Sequence, residues 1–296
     1  MIAPRRFLPS ISSLLALEAV DRLGGASAAA EELSLTHSAV SRQLKVLEEQ
    51  IGVSLARRRG RGLSLTPAGV DYAQAVRGCL QDLARASLMI RASGSQASLR
   101  LAILPAFGMH WLSPRLAQFA ARHPDVIVHL STRLSPFDFS QEKFDAAVHF
   151  GARDWQGVDY LELAGERIAP FCAPSLLSRA PPDPAALLSM PLLHLESRPG
   201  AWEDWFEAHG CRADNLRGML FDQFETMAEA AALGFGVALL PDFVAEPGID
   251  RGRLVKAFPE YTETPGRYYL VWPSLRRPND ALDRLIEWLK VRGAPA

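Results

Sequence analysis

Apolar residues recur every three or four positions through the first 65 residues, which is the period of an amphipathic helix. A first helix is predicted from about residue 12, and the Gly24-Gly25 pair ends it. A short Ala-rich helix from the N-cap Ser27 to Leu33 follows. A third helix is predicted over residues 37–51, with Thr36 as its N-cap. Two helices, a tight turn and a further helix form the helix-turn-helix pattern.

The third predicted helix has two distinct faces. Its apolar positions are spaced 4, 3 and 4, so this side is expected to be buried; they are Val40, Leu44, Leu47 and Ile51. Its other face is short, polar and basic, and consists of Ser38, Ser41, Arg42 and Lys45. A helix with this division can pack on one side and present hydrogen-bond donors on the other.

A longer helix is predicted from Thr66-Pro67, an N-cap followed by proline at the first helical position, to about residue 92. Its apolar stripe has heptad spacing and contains Ala73, Val76, Leu80, Leu83, Ser87 and Ile90. One apolar stripe on an otherwise polar helix needs a partner, so we expect a dimer seam. The alternative is a core helix of the next domain.

Beyond residue 99 short strands alternate with helices, and this indicates α/β units with parallel sheets. The strands are predicted at 99–104, 126–132, 146–150, 168–172, 192–194, 219–221, 237–240 and 268–272. The helices are predicted at 112–122, 201–209, 226–233 and 279–290.

Charge is unevenly distributed along the chain. The net charge is −1, from 32 Lys and Arg against 33 Asp and Glu, and such a balance by itself argues against a nucleic-acid binder. Residues 1–65 nevertheless carry +3, which leaves −4 on the remainder. Six basic residues cluster in this part: Arg42, Lys45, Arg57, Arg58, Arg59 and Arg61. The run 57–61, followed by a strand-like 63–65, predicts a wing beside the helix-turn-helix; the alternative is that these charges only aid solubility.

Composition excludes several classes of protein. Hydrophobic residues make up 48% and charged residues 22%, as in an ordinary globular protein of two or three domains. Three cysteines without paired spacing argue against a disulfide framework or a zinc site. Neither a signal-length apolar segment nor an 18-residue apolar stretch is present, so we expect a cytoplasmic protein with no membrane partner. No metal and no cofactor are predicted.

The segments 29–53 and 57–69 resemble the N-terminal domain of LysR-type transcriptional regulators. Later phrases resemble the glycine-cleavage and β-lactamase regulators of that family; they are the stretches 111–116, 123–125, 144–151 and 268–271. The resemblance implies a multidomain α+β fold. Its parts would be a winged helix-turn-helix at 1–65, a linker and dimerisation helix at 66–94, and an effector domain at 95–296.

The effector domain implied by the resemblance has two α/β lobes, like a periplasmic binding protein. Lobe I would comprise 95–164 and 265–296, and lobe II 165–264, with crossings near 162–167 and 262–267. The implied partners are double-stranded promoter DNA, a small-molecule effector, a second copy in a homodimer or homotetramer, and RNA polymerase. The residues predicted to form the dimer seam are Ala73, Val76, Leu80, Leu83 and Ile90.

In this interpretation the third helix enters the major groove. Arg42 would contact guanine bidentately, Lys45 would reach a phosphate, and the wing arginines would contact the minor groove or phosphates. The full set of predicted DNA-binding residues is Thr36, Ser38, Ser41, Arg42, Lys45, Arg57, Arg58, Arg59 and Arg61.

An effector is expected at the carboxyl ends of the strands. The predicted residues are Ala106, Phe107, Ser131, Thr132, Arg133, His149, Gly151, Ser197, Arg198, Phe224, Glu225 and Thr226. Two arginines and a helix N-terminus indicate a carboxylate, whereas Glu225 would pair an amine. Phe107 and Phe224 are alternatively core residues, and His149 an internally bonded strand histidine. Where the β-lactamase regulators have a threonine, this chain has 105–107 (Pro-Ala-Phe), which argues against a cell-wall peptide.

Other functions are less well supported by the residues. The hydrolase, metalloprotease and phosphate-loop motifs are absent from the sequence, which argues against an enzyme. A solute-binding protein would not carry the N-terminal helix-turn-helix. A DNA-binding regulator with no small-molecule effector, controlled by a partner or constitutive, stays open at this point.

Overall fold

A computed structural model describes residues 7–59, 62–94, 97–177, 183–276 and 278–292. The chain forms two compact units, Met1–Gly94 and Ser95–Ala296. No helix in the described ranges is long and apolar enough to cross a membrane.

The N-terminal unit is helical with a small hairpin. Its elements are α1 (Ile11–Leu23), α2 (Ala26–Glu32), α3 (His37–Ile51), β1 (Ala56–Arg59), β2 (Gly62–Leu65) and α4 (Pro67–Ser93). The predicted bounds of α3 are confirmed, and β1 pairs antiparallel with β2, as a wing requires. The N-cap of α2 is Gly25 rather than the predicted Ser27, and it makes no side-chain capping bond.

The core of this unit includes the apolar face of α3 and the start of α4. Val40, Leu44 and Leu47 are fully buried beside Leu17 of α1. Ala73 and Val76 lie in the same cluster, and Leu80 packs against it. Ala73 and Val76, which were predicted to belong to a dimer seam, are instead buried in the core of their own unit. Leu83 and Ile90, further along α4, are exposed.

In the described part of the second unit, nine strands form one sheet with the order β4-β3-β5-β11-β6-β9-β7-β8, and β10 pairs with β6. The strands are β3 (Ala97–Ile103), β4 (Val126–Thr132), β5 (Ala146–Gly151), β6 (Val158–Cys172), β7 (Leu192–Leu195), β8 (Gly218–Phe221), β9 (Val237–Pro241), β10 (Val255–Lys256) and β11 (Thr262–Pro273). The helices are α5 (Ser113–Arg122), α6 (Ala201–Ala208), α7 (Phe224–Ala232), α8 (Asp242–Asp250) and α9 (Asp280–Arg292).

The expectation of purely parallel sheets is corrected at the centre. The outer strands pair in parallel, β3 with β4 and β7 with β8, as in α/β units. The long strands β6 and β11 pair antiparallel with each other and connect two lobes with separate apolar cores. The register of the β6–β11 pair shifts between Glu263 and Arg267. The two chain crossings between the lobes therefore lie where β6 and β11 pair with different neighbouring strands. Sequence periodicity detected only the last third of β6, because its first part is half-exposed and carries no apolar run.

Candidate functional site

The exposed face of α3 is held in place by both of its ends. Thr36 Oγ1 accepts a hydrogen bond from the Ala39 amide at 3.2 Å, and Gly52 ends the helix in the left-handed region at φ 75°. The Thr36 and Ser38 hydroxyls are 3.0 Å apart. Thr36, predicted to contact DNA, thus has an N-cap role within the chain, and this cap fixes the direction of the residues that follow.

The predicted DNA-contacting side chains of α3 are at the surface. Ser38, Arg42 and Lys45 are exposed, and Ser41 is half-buried. Lys45 Nζ lies 3.8 Å from the Glu49 carboxylate, but both side chains are largely exposed, so this weak pair does not prevent a phosphate contact. The structure therefore presents one polar and basic face, as the spacing of these residues predicted.

The wing is anchored to α3 by a carboxylate that sequence reasoning counted only as a charge. Glu48 Oε1 accepts hydrogen bonds from the amides of Leu55 and Ala56, at 2.7 and 2.8 Å. These bonds fix the point where β1 begins. Arg57 is exposed, whereas the side chains of Arg58 and Arg59 and the whole of Arg61 lie outside the described residues.

The C-terminal unit contains a cavity of about 280 Å³ between its lobes, here called the interlobe cavity. Eight predicted effector residues line it: Ala106, Phe107, Arg133, His149, Ser197, Arg198, Phe224 and Glu225. The other four predicted residues, Ser131, Thr132, Gly151 and Thr226, lie outside this lining. The strands do direct their carboxyl ends to one place, and the lining combines residues near those strand ends with residues of the loops that follow.

Each of these four residues has a local reason for lying outside the lining. Ser131 and Thr132 are the exposed last residues of β4, whereas the cavity wall comes from the loop that follows, at 133–137. The Thr226 hydroxyl donates to the Gln223 carbonyl at 3.0 Å within the first turn of α7. Gly151 is paired with Arg267 of β11.

Sequence reasoning missed other lining residues, notably Ser135, Trp155, Gln223 and Tyr268. Gln223 precedes α7 by one residue, and Ser135 lies two residues beyond Arg133, so extending each predicted loop would have found them. Tyr268 lies on β11, far along the chain from the other lining residues. The sequence carried no signal that would place it here.

Phe107 and His149 line the cavity but have structural partners. Phe107 is buried and stacks on Tyr268 and Trp111, with ring centroids 4.0 and 4.7 Å apart. His149 Nε2 lies 3.0 Å from the Ala152 carbonyl oxygen. The alternative interpretation, a core phenylalanine and an internally bonded histidine, is thus the one that the structure supports for these two residues.

Both predicted anion-binding arginines face carboxylates of their own chain. Arg133 donates to Glu142 at 2.9 Å. The Arg198 guanidinium lies 3.8 Å from Glu166 Oε1 and 3.8 Å above the Phe150 ring. Their positive charges are therefore partly matched before any ligand enters, which leaves the start of α7 as the other predicted anion-attracting group.

Glu225 differs from these two arginines, which face carboxylates of their own chain. Both of its carboxylate oxygens are buried, and neither has a hydrogen-bond partner among the described residues. The nearest cationic group is His110, whose Nε2 lies 3.9 Å from Oε1 and is charged only when protonated. A buried carboxylate without hydrogen bonds is costly. A cationic group entering the interlobe cavity would satisfy it.

A buried carboxylate also stands at the lobe crossing. Glu166 of β6 is 2% exposed and accepts hydrogen bonds from the Tyr268 hydroxyl at 2.6 Å and from Thr264 at 3.2 Å. Burial raises the pKa of Glu166 above its ordinary value, although Arg198 and these hydrogen bonds act in the opposite direction. The folded chain therefore binds the Glu166 proton more tightly than the unfolded chain does.

The stability of the C-terminal unit should consequently fall as pH rises above the ordinary glutamate pKa of 4.5. The unfolded chain releases the Glu166 proton there, while the folded chain retains it until its raised pKa is passed. Urea unfolding followed by tryptophan fluorescence from pH 4.5 upward should show this fall, and Glu166→Gln should remove its part of the slope. Glu162→Gln, on an exposed position of the same strand, is the control. An unchanged slope in Glu166→Gln would assign the effect to other groups.

Across the described ranges, no group of three or more His, Cys, Asp or Glu residues is arranged to hold a metal ion.

The two units together are a helix-turn-helix with a hairpin wing and a two-lobed α/β domain with a cavity between its lobes, the organisation of a DNA-binding regulator with a sensor domain. A model of the "Bacterial regulatory helix-turn-helix protein, lysR family" matches residues 11–70, and the "LysR substrate binding domain" matches residues 92–294. The chain belongs to the LysR-type transcriptional regulators.

Two relatives illustrate the similarity over the whole chain. The transcriptional regulator TrpI of Pseudomonas aeruginosa is 37% identical over 292 residues, 96% of this chain and 98% of that protein. The glycine cleavage system transcriptional activator of Escherichia coli is 31% identical over 290 residues, 97% and 95% of the two chains.

Solved structures agree with the fold. The effector domain of the transcriptional regulator AmpR of Pseudomonas aeruginosa has a TM-score of 0.61 and 32% identity, covering 67% of this chain and 96% of that one. CrgA of Neisseria meningitidis, a LysR-type transcriptional regulator, has a TM-score of 0.58 and 25% identity, covering 97% and 99%. Regulators of this family bind DNA, respond to small-molecule effectors and form oligomers.

Proposed function

We propose that the effector of this regulator is an amino acid, or a small molecule with the same pair of charged groups, bound in the interlobe cavity. The observation that carries the proposal is Glu225, a buried carboxylate without a hydrogen-bond partner among the described residues. Glu225 selects an ammonium group. The amides at the start of α7 are oriented to attract a carboxylate, since no side chain caps this helix.

The cavity's other lining fits a ligand of modest size. Apolar walls include Ala102, Val148 and Leu195, while Ser197 and Gln223 add hydrogen-bonding groups. A mostly apolar pocket with a few polar groups is the usual composition of a small-molecule site. Arg198 lies at the wall with its charge already opposite Glu166, so it supplements the attraction for a carboxylate rather than dominating it.

Calorimetry with the full-length protein tests this pairing of charges. A panel of the common L-amino acids, their N-acetyl derivatives and the corresponding decarboxylated amines should show binding for one or a few free amino acids. The N-acetyl derivatives lack the ammonium charge and the decarboxylated amines lack the carboxylate charge. Both should bind more weakly than the free amino acid, because a buried group of the site would then be left unpaired. Tighter binding of an N-acetyl derivative would contradict the role of Glu225. Binding of no compound would favour a regulator without a small-molecule effector.

We further propose that the exposed face of α3 reads promoter DNA from the major groove. The guanidinium of Arg42 suits the two acceptors of guanine, and Lys45 one turn later suits a phosphate. Ser38 and Ser41 flank Arg42 on the same face, and Thr36 fixes the helix start. The wing arginines Arg57, Arg58, Arg59 and Arg61 remain proposed contacts to the minor groove or to phosphates.

Arg42→Ala is expected to weaken promoter binding by about 1–3 kcal/mol and to relax the preference for one base pair. Fluorescence anisotropy with the native promoter and with singly substituted sites measures both effects. Arg212→Ala, at a highly exposed arginine of the C-terminal unit, is the control for a lost positive charge. Affinities of the Arg42 variant that match those of the wild type at the native site and at every substituted site would remove Arg42 from the interface.

The rest of the α4 stripe supports a proposed contact between two copies of the chain. Leu83, Leu88 and Ile90 are 49%, 66% and 73% exposed, and they follow the part of α4 that is covered within its own unit. We propose these residues, with Leu80 at the boundary, as the dimer surface, and a homodimer or homotetramer as the assembly. RNA polymerase is a further proposed partner, supported by relatives that are named transcriptional activators.

A further inference from the structure

The C-terminal unit contains a second and larger cavity, of about 420 Å³, here called the hinge cavity. It lies beside the stretch where β6 and β11 pair between the lobes, and residues of β7 and α6 complete its lining. Four residues line both this cavity and the interlobe cavity: Phe150, Leu195, Arg198 and Phe224. The hinge cavity is therefore adjacent to the interlobe cavity, but Glu225 is not part of its lining.

One wall of the hinge cavity is formed by β6 and β11. Thr262 is paired with Ile168 in the register of the two strands. Side chains two residues apart on a strand lie on the same face of the sheet, so Thr264 and Glu166 share the face of this pair. All four residues line the cavity. The Thr264 hydroxyl donates to Glu166 at 3.2 Å, whereas the Thr262 hydroxyl has no hydrogen-bond partner among the described residues.

The rest of the lining is largely apolar. Trp202 and Trp205 are buried side chains of α6, and Met227 and Leu239 contribute from α7 and β9. Trp202 Nε1 donates to the Leu193 carbonyl at 2.9 Å, so this indole is already paired. Protein interiors rarely leave such space unfilled, and the volume lies in the range of roughly 300–1,000 Å³ typical of ligand pockets. The cavity thus has the size and surface of a site for a mostly apolar small molecule.

Four buried polar atoms of the lining residues lack partners, and all of them can donate a hydrogen bond. They are Trp205 Nε1, Arg198 Nε, His194 Nε2 and Thr262 Oγ1, and none is hydrogen-bonded within the described ranges. Indole and guanidinium N–H groups only donate, whereas the imidazole nitrogen and the hydroxyl can donate or accept. Because buried polar groups are nearly always hydrogen-bonded, this set indicates an occupant that brings acceptors.

The lining disfavours both a positive and a negative charge on the occupant. An ammonium group would bring only N–H donors to a set of donors, and it would approach the Arg198 guanidinium. A carboxylate would meet the buried Glu166, which lies 3.8 Å from Arg198, so the positive charge is already partly matched. Asp204, an exposed lining residue, adds a further negative charge. An uncharged acceptor, such as the oxygen of an amide, ester or ketone, avoids both repulsions.

We propose that the hinge cavity is a second ligand site, which binds an uncharged and mostly apolar molecule through its carbonyl oxygen. The apolar part would lie against Trp202, Met227 and Leu239. The carbonyl would accept from the Thr262 hydroxyl and from a free N–H of the lining. This ligand carries neither of the two charges that the interlobe cavity is proposed to recognise, so the two sites can be tested separately.

Calorimetric titration of the full-length protein with phenylacetamide tests the chemistry of the ligand. Phenylacetate and 2-phenylethylamine have the same ring, but the first carries a negative and the second a positive charge. Phenylacetamide should bind, and each charged analogue should bind at least about tenfold more weakly. Equal or tighter binding of either analogue would overturn the proposal. No binding of the amide would also overturn it, since water would then be the partner of the free donors.

Two threonine variants test the position of the ligand. Thr262→Val removes a hydroxyl without a partner in the described chain, so phenylacetamide should bind about fivefold more weakly while the urea midpoint does not fall. Thr264→Val removes a hydroxyl already bonded to Glu166, so the midpoint should fall while amide affinity stays within about twofold. Unchanged amide affinity in Thr262→Val, or an equal loss in both variants, would overturn the assignment.

A variant of the interlobe cavity separates the two sites. Glu225→Gln should leave phenylacetamide binding unchanged, because Glu225 does not line the hinge cavity. Loss of amide binding in Glu225→Gln would place the amide in the interlobe cavity and overturn the proposal of a second site. Amino-acid binding through Glu225 is measured with different ligands, so failure of either proposal leaves the other standing.

Discussion

Glu225→Gln is expected to weaken binding of the amino-acid effector by about 100-fold, because one partner of a buried charge pair is removed while its shape is kept. The amide cannot neutralise an ammonium group, and its own NH₂ would meet that group's N–H donors. Calorimetry on the full-length variant measures the loss. Promoter affinity without effector should equal that of the wild type, since Glu225 lies in the C-terminal unit.

Glu229→Gln provides the matched control. Glu229 lies one turn later on α7 and is exposed, with its carboxylate paired to Arg253 at the surface. Removing this charge changes the net charge of α7 as Glu225→Gln does, but outside the interlobe cavity. Equal loss of effector binding in both variants would mean a general electrostatic effect of the helix rather than a direct contact with Glu225.

Gly69→Ala is expected to destabilise the N-terminal unit by about 3 kcal/mol, the upper part of the range for overpacking a close contact. A Cβ at Gly69 would stand 2.0 Å from the Leu55 carbonyl oxygen, so α4 would have to move away from the start of the wing. The same oxygen accepts the Thr66 amide at 2.9 Å, and that bond would be strained. Promoter binding should fall with the folded fraction of the unit.

Two optical signals separate this effect from a change in the C-terminal unit. All six tryptophans lie at or beyond residue 111, so their fluorescence reports only the C-terminal unit, whereas circular dichroism also includes the helices of the N-terminal one. Gly69→Ala should lower the midpoint seen by circular dichroism alone. Gly78→Ala, on the same helix with open space around the added Cβ, should stabilise by about 0.5–1 kcal/mol. A destabilisation of equal size in both variants would rule out the Leu55 contact as its cause.

The helix bounds of the N-terminal unit could be predicted where residues close together in the sequence determine them. The apolar stripe on α3, its N-cap Thr36 and its final Gly52 determine the helix bounds without help from the rest of the fold. The α4 stripe was less predictable, because heptad spacing looks the same whether a helix packs on its own unit or on a partner. Ala73 and Val76 belong to the core of their own unit, and only the three-dimensional packing reveals this.

The position of the interlobe cavity could be predicted from the sequence, but the pairing of its charged side chains could not. Strand ends and the start of α7 identified eight lining residues, since the carboxyl ends of parallel strands meet in one crevice. The pairing of Arg133 with Glu142 and of Arg198 with Glu166 changed the expected electrostatics. The second of these pairs joins residues 32 positions apart, and no sequence period predicts such a contact.

The role of Glu225 in sensing can be measured through promoter binding by the wild type and by Glu225→Gln, followed by fluorescence anisotropy with and without the amino acid found by calorimetry. We expect the amino acid to shift the promoter affinity of the wild type and to leave the variant unchanged at the same concentration, with equal affinities in its absence. An equal shift in both proteins would contradict the assignment of Glu225 as the group through which this regulator senses its effector.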